Sequence, residues 1–144
     1  MNLTLSIASS SSFSGSLGGT GTNENNLGLI KSGTGVLTLS GSSTYTGATT
    51  ISNGTLSVSN LAAGGNLGSA GSVVTLGDAT NKGILSYGGN GDTFSRGFTL
   101  VAGGGEVDST ISTKLLAITT ANITGSGLFT VGGAGDTSIA SSIT

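Results

Sequence analysis

Residues 32–58 read SGTGVLTLSGSSTYTGATTISNGTLSV, and the fold turns on this stretch. Val36-Leu37-Thr38-Leu39 and Thr55-Leu56-Ser57-Val58 alternate aliphatic with hydroxyl side chains, the period-2 pattern of a strand with one apolar and one solvated face. Glycines and an Asn-Gly pair bound both runs, as turns between short strands require. Outward from this stretch the same pattern returns in Val73-Val74-Thr75-Leu76, Phe98-Thr99-Leu100-Val101 and Leu128-Phe129-Thr130-Val131. No window sustains a 3.6-residue apolar stripe without glycine, and the dense Ser, Thr and Asn compete for backbone hydrogen bonds. The pattern predicts an all-β chain, with one helical candidate over residues 113–120.

Composition narrows the chemistry. Of 144 residues, 28 are Gly, 24 Ser, 22 Thr and 10 Asn, whereas only ten are charged. Cysteine, histidine, proline and tryptophan are absent. This excludes thiol nucleophiles, disulfides, histidine acid–base relays and His/Cys metal sites. The basic residues Lys31, Lys82, Arg96 and Lys114 are scattered and the net charge is −2, so nucleic acid is not an expected partner. The longest aliphatic run, Leu115-Leu116-Ala117-Ile118, is far short of the ~18 residues a membrane helix needs, so no membrane insertion by this segment is expected. Met1-Asn2-Leu3 lacks the positive start of a signal peptide, and the chain as given reads as soluble and untargeted.

The strands begin at intervals of about 18 to 24 residues, a spacing suited to one turn of a solenoid. Ser6-Ile7-Ala8-Ser9-Ser10 recurs as Ser138-Ile139-Ala140-Ser141-Ser142, an offset of 132. Gly88-Gly89-Asn90-Gly91-Asp92-Thr93 recurs as Gly132-Gly133-Ala134-Gly135-Asp136-Thr137, an offset of 44, one third of the longer one. Together these imply rungs of about 22 residues, six to the longer repeat, and six to seven coils in all. Stacked at ~4.8 Å, such coils form a rod of roughly 30 to 35 Å. Inward Leu, Ile, Val and Phe form ladders while Ser, Thr and Asn face water, so little apolar matter suffices. Asn53, Asn66 and Asn90 are expected at corners, and neither end looks capped.

Residues 31–58 closely resemble the passenger-associated transport repeat of bacterial autotransporters, also called the autotransporter-associated β-strand repeat. The likeness rests on the Gly-x-Gly-x-Leu-x-Leu opening at Gly33–Leu39, the Thr44-Tyr45-Thr46-Gly47-x-Thr49-Thr50-Ile51 middle and the Gly54-x-Leu56-x-Val58 finish. Lys31 in front also fits the family, and Asn66-Leu67-Gly68 and residues 103–108 resemble its weaker continuation. The resemblance implies a right-handed parallel β-helix, here a single β-solenoid segment over residues 1–144. It also implies a bacterial surface or secreted protein, extracellular or exposed on the outer membrane, serving as adhesin or stalk. With neither signal peptide nor translocator barrel, the chain reads as a segment of a larger passenger or a small protein borrowing its repeat.

Several motifs invite a site reading, and each has a plainer one. The two Gly-Gly-x-Gly-Asp-Thr segments resemble calcium-binding β-roll turns, but the Asp comes one position early, so Asp92 and Asp136 read as turn residues. Glu106 and Asp108, at i and i+2, face the same side of a strand and resemble the carboxylate pair of a glycoside-cleaving β-helix, with a solvated face as the plainer reading. The pairs at Thr44/Thr46, Thr49/Thr50 and Thr119/Thr120 resemble ice-binding arrays, but varying rung lengths argue against regular rows. The six aromatics, Phe13, Tyr45, Tyr87, Phe94, Phe98 and Phe129, read as core or corner stacks rather than a sugar platform. The glycine strings near Gly18 and Gly103 lack the Lys and helix of a phosphate cradle.

No catalytic, cofactor-binding or metal-binding residue is assigned, and no cofactor is expected. The expected role is a non-catalytic scaffold or stalk whose partners are neighbouring repeats of the same chain, with a host-surface or matrix ligand as a further possibility. A filament subunit stacking head to tail on identical copies is the alternative, and a polysaccharide-active enzyme a distant third.

Overall fold

The computed structural model describes residues 1–69, 71–119 and 121–144. Its strands, numbered in chain order, stack as a parallel β-solenoid of about six turns. The first sheet holds β1 (Asn2–Ser6), β3 (Gly28–Ser32), β5 (Thr49–Ile51), β7 (Val74–Leu76), β10 (Phe98–Leu100) and β13 (Ile123–Gly125). The second holds β2 (Ser11–Phe13), β4 (Val36–Leu39), β6 (Gly54–Val58), β8 (Gly83–Tyr87), β11 (Gly105–Ser109) and β14 (Phe129–Gly132). A third, in the later coils, holds β9 (Asp92–Phe94), β12 (Leu115–Ile118) and β15 (Asp136–Ile139). The described residues contain no helix. The helical candidate at 113–120 is β12, where Leu116 and Ile118 alternate inward; Thr120 lies outside the described residues.

Backbone pairing gives the true rungs. Leu3, Leu29, Thr49, Val74, Phe98, Ile123 and Ile143 follow one column of the first sheet, and the steps between them are unequal: Leu3 to Leu29 is the longest coil, Leu29 to Thr49 among the shortest. The interval read from the sequence mixed strands of two sheets: β7 and β10 belong to the first, β4, β6 and β14 to the second. Nor are the letter repeats structural repeats. Asp92 pairs with Leu116 and Leu116 with Thr137, so two coils carry Asp92 to Thr137, whereas the shorter letter match sets it against Asp136, one position out of step. Ser6 ends a strand of the first sheet and Ser138 lies in one of the third, so the longer match joins unlike places.

The interior consists of columns. Leu37, Leu56, Leu85 and Val107 stack on the second sheet, and Leu39, Val58 and Tyr87 beside them. Each fully buried aliphatic side chain contributes roughly 1.5–3 kcal/mol, and column stacking lets a narrow chain bury many of them. In the later coils aromatics widen the core: Phe94 stacks on Phe98 at 5.0 Å between ring centroids, and Phe98 lies 6.0 Å from Phe129. Gly54 follows Asn53 at a corner with φ +70°, and a Cβ there would stand 2.5 Å from the Gly33 carbonyl oxygen of the coil before. Only glycine meets both demands.

Both tyrosines are buried. Tyr45 shares a 2.7 Å hydrogen bond with the Thr49 hydroxyl, and the Gly91 amide donates to the Tyr87 phenol oxygen at 2.9 Å. Burial raises both phenols, Tyr87 to about 12. The neutral phenol is therefore the native form, and stability falls as pH climbs from the ordinary value of 10 toward 12. With only two tyrosines in the chain, phenolate absorbance should stay low past pH 10 and appear together with loss of β circular dichroism. Titration of either tyrosine near 10 in the folded chain would contradict this packing.

Candidate functional site

Lys31 is the most unusual side chain. Leu29 and Lys31 alternate with Ile30 on β3, which places Lys31 on the inward face, in a column with Leu5, Ile51 and Leu76. It is fully buried. Its stem packs among aliphatic neighbours while Nζ turns to the corner and donates to the carbonyls of Ser32 (3.1 Å), Gly33 (2.7 Å) and Asn53 (2.9 Å). All three ammonium protons thus have acceptors, two on its own coil and one on the next. Burial lowers its pKa from the ordinary lysine value. No alternating strand was expected over Gly28–Ser32, and the inward parity of Lys31 emerges only from the pairing of β3 with β1 and β5.

The carboxyl pair forms as its spacing implied. Glu106 and Asp108 point from the outer face of β11, and Lys82 pairs with Glu106. A Cβ on Gly132 of the next coil would stand 2.5 Å from Asp108 Oδ1 and 3.1 Å from Glu106 Oε1, so glycine there makes room for both. The Lys82 partner holds Glu106 below the ordinary glutamate value, while burial and then the neighbouring Glu106 push Asp108 up. The two carboxyls share one face of the strand and the open space that Gly132 leaves. This is a surface carboxylate pair, one member of which is tied to a lysine.

Asp92 and Asp136 open strands β9 and β15 rather than occupying turns, a correction that follows from where the third sheet begins. Asp92 accepts the Leu61 amide at 2.9 Å, while Asp136 is exposed. Among the described residues no group of three or more His, Cys, Asp or Glu side chains gathers.

The threonines prove more regular than rung length suggested. Thr4, Thr50, Thr75, Thr99 and Thr124 occupy one outward column of the first sheet, broken only by Ile30. Variable coils bring them into line because length differences are taken up outside the sheet. Thr49, by contrast, is buried against Tyr45. Of the aromatics, Tyr45, Tyr87, Phe94 and Phe98 are buried and Phe13 is exposed on the first coil.

The first and last coils leave sheet edges unpaired at β1, β2, β14 and β15. Exposed apolar side chains mark both, with Phe13 on the first and Leu128, Val131 and Ile143 on the last. Among the described residues no helix is long and apolar enough to cross a membrane.

These features define a β-solenoid in which parallel coils bury a narrow aliphatic core. Residues 29–58, the two coils built from β3 to β6, match the family model of the passenger-associated-transport-repeat, the family whose motif this stretch resembles. The chain thus carries one such repeat within the solenoid. No curated protein and no solved structure matches the chain.

Replacing Lys31 by Met keeps the stem but leaves three carbonyls without their donor. Lys31→Met should destabilise the chain by about 2 kcal/mol, read as a lower denaturant midpoint with unchanged slope. An unchanged midpoint would show that the ammonium contributes nothing. At the carboxyl pair the fold favours the protonated form of Asp108, so its effect on stability is favourable at low pH and lost as pH rises through its folded pKa. Asp108→Asn should therefore raise Tm on the order of 2 °C at pH 7 and have no stabilising effect at pH 3. A variant less stable than the parent at pH 7 would contradict the assignment.

Proposed function

We propose that this chain is a non-catalytic structural segment of an autotransporter-like passenger, an extended scaffold that spaces or presents other parts of a secreted or surface-exposed bacterial protein. The observation that carries the reading is the passenger-associated transport repeat at residues 29–58, built without interruption into the solenoid's second and third coils. The repeat implies export and display, and a rod of stacked coils supplies reach. The pairing of Glu106 with Lys82, which occupies one of the two carboxyls, favours this over a polysaccharide-cleaving role.

Placing residues 1–144 between a secretion signal and an outer-membrane translocator tests the reading. The expected result is a segment exposed on intact cells and resistant to protease there, because coils paired edge to edge offer few extended sites. Retention inside the cell, or rapid cleavage of the displayed segment, would count against it.

Self-assembly through the open ends is the second reading, favoured by exposed Leu128, Val131 and Ile143 on the last coil and Phe13 on the first. Its partner would be an identical copy. Sedimentation across a concentration series separates the two: a monomeric rod supports the scaffold, and concentration-dependent fibres support assembly.

A further inference from the structure

Outside the passenger repeat, the turn over residues 61–69 and the chain around Thr93–Arg96 enclose a cleft of about 230 Å³. Leu61, Ala62 and Ala63 form an apolar wall, and Ser69, Thr93 and Arg96 contribute polar groups. Arg96 is held firmly. Nε donates to the Ser72 carbonyl at 2.8 Å, Nη1 to the Leu67 carbonyl at 2.9 Å, and Cζ lies 6.0 Å from the Phe94 ring centroid. These bonds fix the plane of the guanidinium on two separate stretches of backbone, so little orientational freedom remains to be lost on binding.

The third nitrogen, Nη2, is buried and has no hydrogen-bond partner. The cation as a whole lacks a counter-charge, because the one ion pair among the described residues joins Lys82 to Glu106. A buried donor without an acceptor is costly, and an acceptor bearing negative charge relieves it best. Ser69 and Gly71, which line the cleft with Arg96, are small and exposed, and contact between a bound oxygen and Nη2 requires local movement at this wall. Few polar groups converging in a concave site with an apolar wall is the usual composition of a small-ligand pocket. We propose that this cleft binds the carboxylate of a small ligand no larger than one sugar ring, with Arg96 as its counter-charge.

An acidic sugar and a peptide C-terminus share this chemistry. Amide and Arg96 side-chain resonances, followed during titration with sodium glucuronate, N-acetylglycine and glucose to tens of millimolar, distinguish the sources. The expected result is saturable shifts confined to the cleft with one or both carboxylates and none with glucose. The tighter carboxylate identifies the source. Ala63→Phe, at an exposed position, should fill the cleft and abolish the shifts while leaving the fold intact. Arg96→Gln should weaken binding at least about tenfold. No saturable shift with either carboxylate, equal shifts with glucose, or undiminished binding in Ala63→Phe would overturn the proposal. Should Arg96→Gln fail to fold, the Ala63→Phe arm decides.

Discussion

In-register backbone pairing between successive coils is the constraint on which everything else depends. In the first two sheets each strand of a middle coil bonds to the coil above and the coil below, so its side-chain parity is fixed by its neighbours. A shift by one residue would turn Leu56 or Leu85 out to water and bring Ser57 or Ser86 into the core. The ladder tolerates coils of unequal length, such as Leu3 to Leu29 followed by Leu29 to Thr49, because the extra chain leaves the sheets at corners and excursions, where it is not paired.

Those excursions need their own anchors, and the few strongly polar side chains supply them. Asn66 is buried and accepts the amides of Ser59 and Asn60 at 2.8 Å each while donating to the Gly41 carbonyl at 3.1 Å. Asp78 accepts the amides of Thr80 and Asn81, and those bonds, the Thr80 amide first, hold its carboxyl below the ordinary aspartate value. Asp92 reaches the Leu61 amide, and Arg96 ties the Ser72 and Leu67 carbonyls. Lys31 does the same at the corner between the first and second sheets. Each satisfies backbone groups that corner geometry leaves without a ladder partner. Of the ten charged residues, four (Lys31, Asp78, Asp92 and Arg96) thus bond to backbone groups.

The alternation at Val36–Leu39 and Thr55–Val58 made β4 and β6 legible, and the turn glycines around them made the solenoid legible. Period and register were not. Letter matches such as Ser6–Ser10 with Ser138–Ser142 arise readily in a chain so rich in serine, whereas register is decided by where each coil places its unpaired excess. The third sheet escaped because Asp92-Thr93-Phe94 looks like a turn until its parallel neighbours Leu116–Ile118 are in place. The same blindness hid the threonine column, since Thr75 and Thr99 align only through pairing. For the candidate sites, the i, i+2 spacing of Glu106 and Asp108 foretold a shared face, but the buried Lys31 and the unpaired Arg96 nitrogen become visible only with the coils stacked.

The register itself is open to direct test, and the absence of native cysteine makes the test clean. Thr93, Leu115 and Ala117 all stand on the outer side of the third sheet, with Ala117 directly beside Thr93. Two double variants, Thr93→Cys with Ala117→Cys and Thr93→Cys with Leu115→Cys, can be compared for the rate of disulfide formation under mild oxidation. Closure should be rapid for the 93/117 pair, which the backbone ladder sets side by side, and slow for the 93/115 pair, which a uniform rung of about 22 residues would set side by side instead. The reverse order would mean that the coils follow the period of the letter repeats, and the paired register described above would be wrong.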